Sequence, residues 1–276
     1  MPAEKIVDNK IGIIAGKGSL PRQVINSLNQ RNIRSYLVAL NDITEKETDH
    51  SATETLWARI GNAGKIINFF KDNGVKQVIL IGGMKRPSFT SLIPDATGFK
   101  LLNKIRKLDK AGDNSLFDLI IEFLEENELK ILGVDEVAKE LIATKDMIGN
   151  IEPKKYLKDI EHGKHIALEI GKLDIGQAAI VQNGVVLGVE GIDGTDALIK
   201  RCASLQTDGS GAILVKMKKP KQDRRIDLPS IGINTIELLY QSGMKGVAVE
   251  AGSSLILDKE NVIKKADELG IFIYGV

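Results

Sequence analysis

Short apolar runs alternate with longer amphipathic stretches along the first half of the chain. The pattern predicts three buried strands and three helices, namely strands at 10–15, 35–40 and 77–81 and helices at 22–31, 63–73 and about 113–126. Pro21 stands where the first helix begins and Gly74 follows the second, as is typical of helix starts and ends. Strands that alternate with helices indicate a parallel sheet covered on both faces, so we predict a Rossmann-like α/β fold for this half.

The second half shows the same patterns and one clear hairpin. Its apolar runs at 177–182 and 185–189 are separated by Asn183-Gly184, a pair typical of a tight turn between antiparallel strands. The remaining pattern predicts helices at 160–170, after Thr195, at 234–242 and at 261–269, and strands at 130–134, 212–217, 246–250 and 271–274. We therefore predict two α/β domains, at 1–130 and 131–276, the second with a mixed sheet.

The composition argues against several classes of protein, including nucleic-acid-binding, disulfide-rich and membrane-spanning proteins. The 276 residues include 38 Lys and Arg against 37 Asp and Glu, a balance that argues against a nucleic-acid partner. The single cysteine, Cys202, excludes a disulfide framework and fits a reducing compartment. No apolar run approaches the roughly 18 residues of a membrane span, and the first residues lack a signal-peptide core. We expect a cytoplasmic protein, and contact with a membrane surface stays open.

A glycine-rich turn, Gly16-Lys17-Gly18, lies between the first predicted strand and its helix. Because N–H groups at a helix start attract anions, Gly16 and Gly18 are candidate phosphate contacts. The alternative is a tight turn without a ligand. The dinucleotide-binding fingerprint needs a third glycine at the position of Pro21, so NAD is poorly supported as a ligand.

A second glycine pair, Gly82-Gly83, follows the apolar strand at 77–81 and precedes Lys85 and Arg86. Ligands of open α/β sheets bind beyond the carboxyl ends of strands, and a cation there would neutralise a phosphate. Gly82, Gly83 and Lys85 are therefore candidate binding residues. The alternative is a solvated basic pair on a surface loop.

Carboxylates recur at predicted strand ends in the second half, beside Lys216, Lys219 and Arg225; they are Asp174, Glu190, Asp193, Asp196, Asp223, Asp227 and Glu250. Phosphoryl transfer needs carboxylates for Mg²⁺ and cations for the phosphate oxygens, so this region is a candidate site for that chemistry. Since Mg²⁺ takes only one or two protein carboxylates, the pattern does not assign the individual ligands.

The histidines and the cysteine do not indicate a further site. His162 and His165 lack the additional cysteine or carboxylate ligands that a zinc site needs, and Cys202 lies on an apolar helical stripe typical of a core.

Four segments resemble, in order, the motifs of the I-type UDP-2,3-diacylglucosamine pyrophosphatases of lipid A synthesis. The segments are 13–21, 174–178 with 189–196, 216–229 and 249–252. The third is long and unusual, reading Lys-Pro-x-Gln-Asp-x-Arg-x-Asp-x-Pro from Lys219. The chain departs from the family pattern at Lys17, where glycine is expected, and at Gly191, where alanine is expected.

The resemblance implies Mg²⁺-dependent attack of water on the α-phosphate of UDP-2,3-diacylglucosamine, which gives UMP and 2,3-diacylglucosamine 1-phosphate. It places catalysis in the C-terminal domain, with Asp223 first and Asp227 second as the essential carboxylate. Lys219 and Arg225 would stabilise charge on the pyrophosphate. Asp223 and Glu190 would be the metal ligands, and the remaining substrate contacts would be Asp174, Gln177, Asp193, Gly194, Thr195, Asp196 and Gln222.

Peripheral contact with the inner membrane and a homodimer both stay open. Two other classes of function compete with the hydrolase. One is a Rossmann-type oxidoreductase or transferase, which the missing third glycine disfavours. The other is a non-catalytic nucleotide-sugar-binding protein, in which the carboxylates would be idle.

Overall fold

A computed structural model describes residues 9–83, 94–106, 113–209, 211–220 and 222–276. The chain divides into two compact units. The N-terminal unit comprises Met1–Lys139 and Asp223–Asp227, and the C-terminal unit comprises Glu140–Gln222 and Leu228–Val276. Among the described residues, no helix combines the length and the apolar character needed to cross a membrane.

The N-terminal unit contains a parallel five-stranded sheet in the order β3-β2-β1-β4-β5. Its strands are β1 (Lys10–Ala15), β2 (Arg34–Leu40), β3 (Glu54–Ala58), β4 (Gln77–Ile81) and β5 (Lys130–Ile131). This order matches the first five strands of the doubly wound order 3-2-1-4-5-6, and it confirms the predicted fold class. The apolar pattern does not predict β3, because this edge strand begins with polar residues and is only partly buried.

Five helices are described in this unit. They are α1 (Leu20–Gln30), α2 (Ala63–Asp72), α3 (Ala96–Arg106), α4 (Asp113–Glu126) and the short α5 (Val134–Val137). Pro21 lies in the first turn of α1, and Gly74 adopts a φ of 65° beyond the end of α2, as the sequence predicts. Tyr36, Val38 and Leu80 of the sheet form one core with side chains of α2 and α4.

The C-terminal unit contains a mixed six-stranded sheet in the order β6-β13-β11-β9-β7-β8. The strands are β6 (Asp146–Ile148), β7 (Ala178–Gln182), β8 (Val185–Val189), β9 (Ile213–Lys216), β11 (Gly246–Val249) and β13 (Phe272–Gly275). A separate parallel pair joins β10 (Ser230–Ile231) to β12 (Leu255–Ile256). Asn183 and Gly184 both have positive φ, 52° and 79°, which the tight turn between β7 and β8 requires.

Four helices pack with these strands: α6 (Leu157–Lys172), α7 (Gly194–Ala203), α8 (Ile233–Gln241) and α9 (Lys259–Leu269). Fully buried apolar side chains of α7, α8 and α9, including Leu198, Leu239 and Val262, share one core with the sheet. The mixed sheet with helices is the architecture that the sequence predicts for this half.

The units do not divide where the sequence places the boundary. Residue 130 lies within β5, which pairs with β4, and the buried Val134 and Val137 extend the N-terminal unit to Lys139. The N-terminal unit also includes Asp223–Asp227 from the second half of the sequence. Ile226 explains this assignment physically, because its side chain packs against the apolar core formed by the sheet, α2 and α4.

Candidate functional site

The glycines after β1 and β4 bring two backbone segments together. The N–H of Lys17 donates to the carbonyl of Gly83, and the N–H of Gly83 donates to the carbonyl of Lys17, both at 2.7 Å. The N–H of Gly16 donates to the carbonyl of Ile81 at 2.7 Å. A Cβ on Gly16 would lie 2.6 Å from the Gly83 oxygen, so a side chain would force these strand ends apart. The glycines therefore have a structural reason for their positions, besides the predicted ligand contact.

The exposed N–H of Gly18 already faces a carboxylate. It donates to both oxygens of Glu45, at 2.9 and 3.0 Å, and Gly18 has a φ of 104° that favours glycine. A phosphate at this N–H group would have to displace Glu45. Lys85, the cation predicted to act with Gly82 and Gly83, lies outside the described residues.

Asp223 is fixed by the side chain of Arg225. The Asp223 carboxylate accepts hydrogen bonds from Nη2 of Arg225 at 2.7 Å, from its Nε at 3.1 Å and from its backbone N–H at 2.9 Å. The hydrogen bond to Asp223 is the main reason why the pKa of Arg225 lies above its ordinary value. A carboxylate held by a planar guanidinium has a defined orientation, which a reactive group requires.

Two further ion pairs tie the segment Asp223–Asp227 to helices of the N-terminal unit. Nη1 of Arg225 lies 3.1 Å from Glu125 of α4, and Nη2 of Arg224 lies 2.9 Å from Asp135 of α5. The N–H of Asp227 donates to the carbonyl of Asp223 at 3.3 Å, so the segment forms a compact turn. Of the predicted catalytic residues, the structure thus brings Asp223, Arg225 and Asp227 together.

An apolar cavity of about 440 Å³ adjoins this turn within the N-terminal unit. Ile226 and Asp227 contribute to its wall, as do Gly16, Gly82 and Gly83 from the strand ends. Most of the remaining wall consists of aliphatic and aromatic side chains of the sheet and of α2, α3 and α4. Asp227 is exposed, and it is the one charged residue among the described residues that line the cavity.

Glu190 is the most buried carboxylate of the second motif, with 6% of its surface exposed. Its oxygens accept hydrogen bonds from the backbone N–H of Gln177 at 2.8 Å and from the hydroxyl of Thr195 at 2.6 Å. A Cβ on Gly176 would lie 2.1 Å from the Glu190 carbonyl oxygen, so glycine is needed where these segments meet. The structure therefore brings together Gln177, Glu190 and Thr195, which are all predicted site residues.

The other predicted polar residues of the C-terminal unit make local pairs. Nζ of Lys219 lies 2.8 Å from Asp174, and the buried Gln222 side chain accepts the Lys219 N–H at 3.3 Å. Asp193 pairs with Arg201 at 3.1 Å, and this hydrogen bond is the main cause of its lowered pKa. Gly194, with a φ of 81°, begins α7, and the exposed Asp196 lies in its first turn.

Two family descriptions match consecutive parts of the chain. The LpxI N-terminal domain matches residues 10–141, and the LpxI C-terminal domain matches residues 144–274. The chain belongs to the LpxI family. The two LpxI matches meet within a few residues of the division between Lys139 and Glu140. UDP-2,3-diacylglucosamine pyrophosphatase LpxI from Caulobacter vibrioides is 35% identical over 274 residues, which cover 97% of each chain.

Similarity to solved structures is weak. The biotin carboxylase domain of a thermophilic 2-oxoglutarate carboxylase bound to ADP is 15% identical with a TM-score of 0.27, over 63% of this chain and 35% of that chain. N5-carboxyaminoimidazole synthetase from Staphylococcus aureus is 15% identical with a TM-score of 0.26, over 72% of this chain and 44% of that chain. Similarity at this level establishes neither a shared fold nor a shared function.

The carboxylates of this LpxI family member can be compared with what Mg²⁺ requires. In the described part of the chain, no group of three or more His, Cys, Asp or Glu side chains could hold a metal ion. Mg²⁺ commonly takes one or two protein carboxylates and completes its shell with water and phosphate oxygens. Asp223, whose carboxylate is held by Arg225, and the exposed Asp227 lie on one turn and could supply these one or two carboxylate ligands. These residues fit an ion held mainly by water and substrate.

Three acidic residues of the site region escape prediction from the sequence. Glu45 contacts Gly18 from 27 positions away, Asp135 contacts Arg224 from 89 positions away, and Glu125 contacts Arg225 from 100 positions away. In the sequence alone, each is a single carboxylate with no distinguishing pattern around it. Cys202 is fully buried, and burial raises the pKa of its thiol, which supports its interpretation as a core residue.

Proposed function

We propose that this chain hydrolyses the pyrophosphate bond of UDP-2,3-diacylglucosamine. Water attacks the α-phosphorus in an Mg²⁺-dependent reaction, and the products are UMP and 2,3-diacylglucosamine 1-phosphate. The observation that carries the proposal is membership in the LpxI family, together with the pyrophosphatase activity of the Caulobacter relative, which aligns over 97% of both chains. Full-length alignment supports the same pyrophosphate hydrolysis, because neither domain is missing.

Asp223 is the carboxylate that we propose for catalysis, and it orients the attacking water. Its hydrogen bonds to Arg225 support this role, because they fix the carboxylate before substrate arrives. Arg225 keeps further N–H groups that stabilise negative charge on the pyrophosphate. Asp227, on the same turn, is the second candidate for the essential carboxylate.

Mg²⁺, when bound, would neutralise phosphate charge and lower the pKa of a coordinated water. Asp223 and Asp227 are the residues of the N-terminal unit that would hold it. The metal role predicted for Glu190 stays a prediction, and its two protein hydrogen bonds favour a part in holding Gln177 and Thr195. The substrate contacts predicted for Lys219, Asp174, Gln222, Asp193, Gly194 and Asp196 also stay predictions.

The predicted cytoplasmic location, the peripheral contact with the inner membrane and the homodimer remain predictions as well. A substrate with two acyl chains partitions into lipid bilayers. This supports the prediction that the protein binds its substrate at a membrane surface. The balanced net charge of +1 gives no support for a nucleic-acid partner.

The test is UMP release from UDP-2,3-diacylglucosamine, measured by chromatography with Mg²⁺, with EDTA and after Mg²⁺ is restored. We expect UMP with Mg²⁺, its loss with EDTA and its return on restoration. Substrate binding without UMP release at any metal concentration would instead indicate a nucleotide-sugar-binding protein. Thermal stabilisation by NAD, without UMP release, would indicate the oxidoreductase.

A further inference from the structure

Lys216 is a buried lysine at the end of an apolar strand. It is the last residue of β9, and 8% of its surface is exposed. Its neighbours in the chain, Val215 and Met217, are buried apolar residues. Taking an ammonium group out of water costs free energy that an apolar side chain does not cost, so packing alone favours an aliphatic residue here. The lysine at this position therefore needs a further explanation.

The ammonium group of Lys216 joins two ends of a long connection. Its Nζ donates a hydrogen bond to the backbone carbonyl of Ser230 at 3.0 Å. Ser230 is the first residue of β10, so these two residues flank the segment 217–229, which connects β9 to β10. That segment contains the turn Asp223–Asp227 with the proposed catalytic carboxylates. The hydrogen bond thus ties together the two ends of the segment that carries this turn.

Backbone hydrogen bonds hold both ends of the segment 217–229 close to this tie. At its start, the N–H of Met217 donates to the carbonyl of Gln177 at 2.9 Å. At its end, the carbonyl of Pro229 accepts the N–H of Leu255 at 2.8 Å. The Lys216 side chain links the first of these anchored ends directly to the second. The base of the segment is therefore a defined structure, and a constraint on it extends along the chain towards the turn.

We propose that Lys216 is a positioning residue for the hydrolysis, which acts by tying the base of the segment 217–229 and so fixing the position of Asp223. The inference rests on the proposed function, which gives the Asp223 carboxylate its role. Misplacement of a catalytic group by about 1 Å can lower a rate roughly a hundredfold, so a small loosening of the base is sufficient to affect catalysis. The ion pairs that Arg224 and Arg225 make with α5 and α4 are exposed and therefore weak, and the buried tie adds a constraint that they do not supply.

The test removes the ammonium group and keeps the length of the side chain. Lys216→Met introduces an unbranched apolar side chain that cannot donate to the Ser230 carbonyl. Lys264→Met makes the same substitution at an exposed position of α9 and is the matched control. We would measure kcat and KM for UDP-2,3-diacylglucosamine, and the midpoint of urea denaturation, for both variants and the wild type.

We expect Lys216→Met to lower kcat at least about tenfold and to keep KM within about threefold of the wild type. Lys264→Met should match the wild type in both constants. Wild-type kcat in folded Lys216→Met would overturn the inference, even with a lowered urea midpoint, because that combination indicates a purely structural lysine. A raised KM with unchanged kcat would also overturn it, because it would indicate direct contact with the substrate. If Lys216→Met does not fold by circular dichroism, Lys216→Gln, which has a shorter and uncharged side chain, replaces it.

Hydrogen–deuterium exchange separates this inference from the proposed function, because it needs no substrate. We expect the backbone amides of 217–229 to exchange at least about threefold faster in Lys216→Met than in the wild type, and those of α6 to exchange equally. Lys264→Met should exchange as the wild type in both regions. Faster exchange confined to 217–229 would support the tie even if the wild type released no UMP. Equal exchange in all three proteins would contradict the tie even if UMP release were normal.

Discussion

Hydrogen bonds from Arg225 orient the carboxylate of Asp223. We predict that Asp223→Asn folds normally and lowers kcat by about a hundredfold or more, because it removes the charged group proposed to orient water. Glu125→Gln is the matched control, since it removes the outer partner of Arg225 and leaves Asp223 in place. An exposed ion pair of this kind contributes about 1 kcal/mol or less, so the control should keep kcat within about threefold. Wild-type kcat in folded Asp223→Asn would exclude the assigned role.

The two hydrogen bonds that the Glu190 carboxylate accepts indicate that it stabilises the folded protein. We predict that Glu190→Gln lowers the free energy of unfolding by roughly 1–3 kcal/mol, because a neutral amide replaces two hydrogen bonds to a charged carboxylate and its nitrogen cannot accept from the Gln177 N–H. Urea denaturation measures the change. Asp193→Asn, which affects an exposed pair with Arg201, should change stability much less. Equal effects of the two substitutions would show that the buried hydrogen bonds of Glu190 matter little.

At the scale of single residues, the sequence predicts local structure best where the backbone conformation requires a particular residue type. Gly74, Gly184 and Pro21 lie where the predicted helix ends and hairpin turn require them. The sequence cannot reveal that Glu45 occupies the N–H of Gly18, because that pairing depends on a loop returning to the start of α1. The carboxylates of a family motif can be identified in the sequence. The residues that hydrogen-bond to them can be identified only from the folded structure.

Asp95 joins two helices of the N-terminal unit. It directly precedes α3, accepts the Gly98 N–H at 2.7 Å, and accepts the Gly64 N–H at the start of α2 at 2.9 Å. Burial raises the pKa of this carboxyl, but hydrogen bonds from the backbone of four residues outweigh burial and lower the pKa below the ordinary value of 3.8. The ionised carboxylate therefore stabilises the fold.

This shift predicts a pH-dependent difference in stability. A folded pKa below the unfolded value gives a stabilisation that is fully present above pH 3.8 and is lost as the pH falls through the folded pKa. Asp95→Asn should lower the free energy of unfolding at pH 7, and the deficit relative to the wild type should shrink below pH 3.8. Urea denaturation from pH 7 to pH 3 measures both. Asp42→Asn, at an exposed position, is the control, and a deficit that does not change with pH would contradict the explanation.

Among the elements, those with long apolar or amphipathic patterns are predicted and the short or polar ones are not. The hairpin of β7 and β8 and the strands β1, β2 and β4 lie close to their predicted residues. The pattern misses β3, an edge strand, and α3, which begins with small and polar residues. The position of α3 depends on contacts such as that of Asp95 with α2, which have no counterpart in local sequence.

For the whole molecule, the sequence predicts two α/β units but not the path of the chain between them. The segment Asp223–Asp227 belongs to the N-terminal unit, although it lies more than 80 residues beyond Lys139. Ile226 in an apolar core and ion pairs to Glu125 and Asp135 account for this assignment. A linear pattern of hydrophobicity cannot show this, because Ile226 lies directly between the charged residues Arg225 and Asp227.

The central claim concerns the activity of the whole chain, and one measurement tests it most directly. UDP-2,3-diacylglucosamine is incubated with the protein and Mg²⁺ in water enriched in oxygen-18, and both products are analysed by mass spectrometry. We predict UMP that carries one labelled oxygen, together with unlabelled 2,3-diacylglucosamine 1-phosphate. Label in the lipid phosphate would retain the hydrolysis but contradict attack at the α-phosphorus, and no UMP from folded, Mg²⁺-supplied protein would contradict the proposed activity itself.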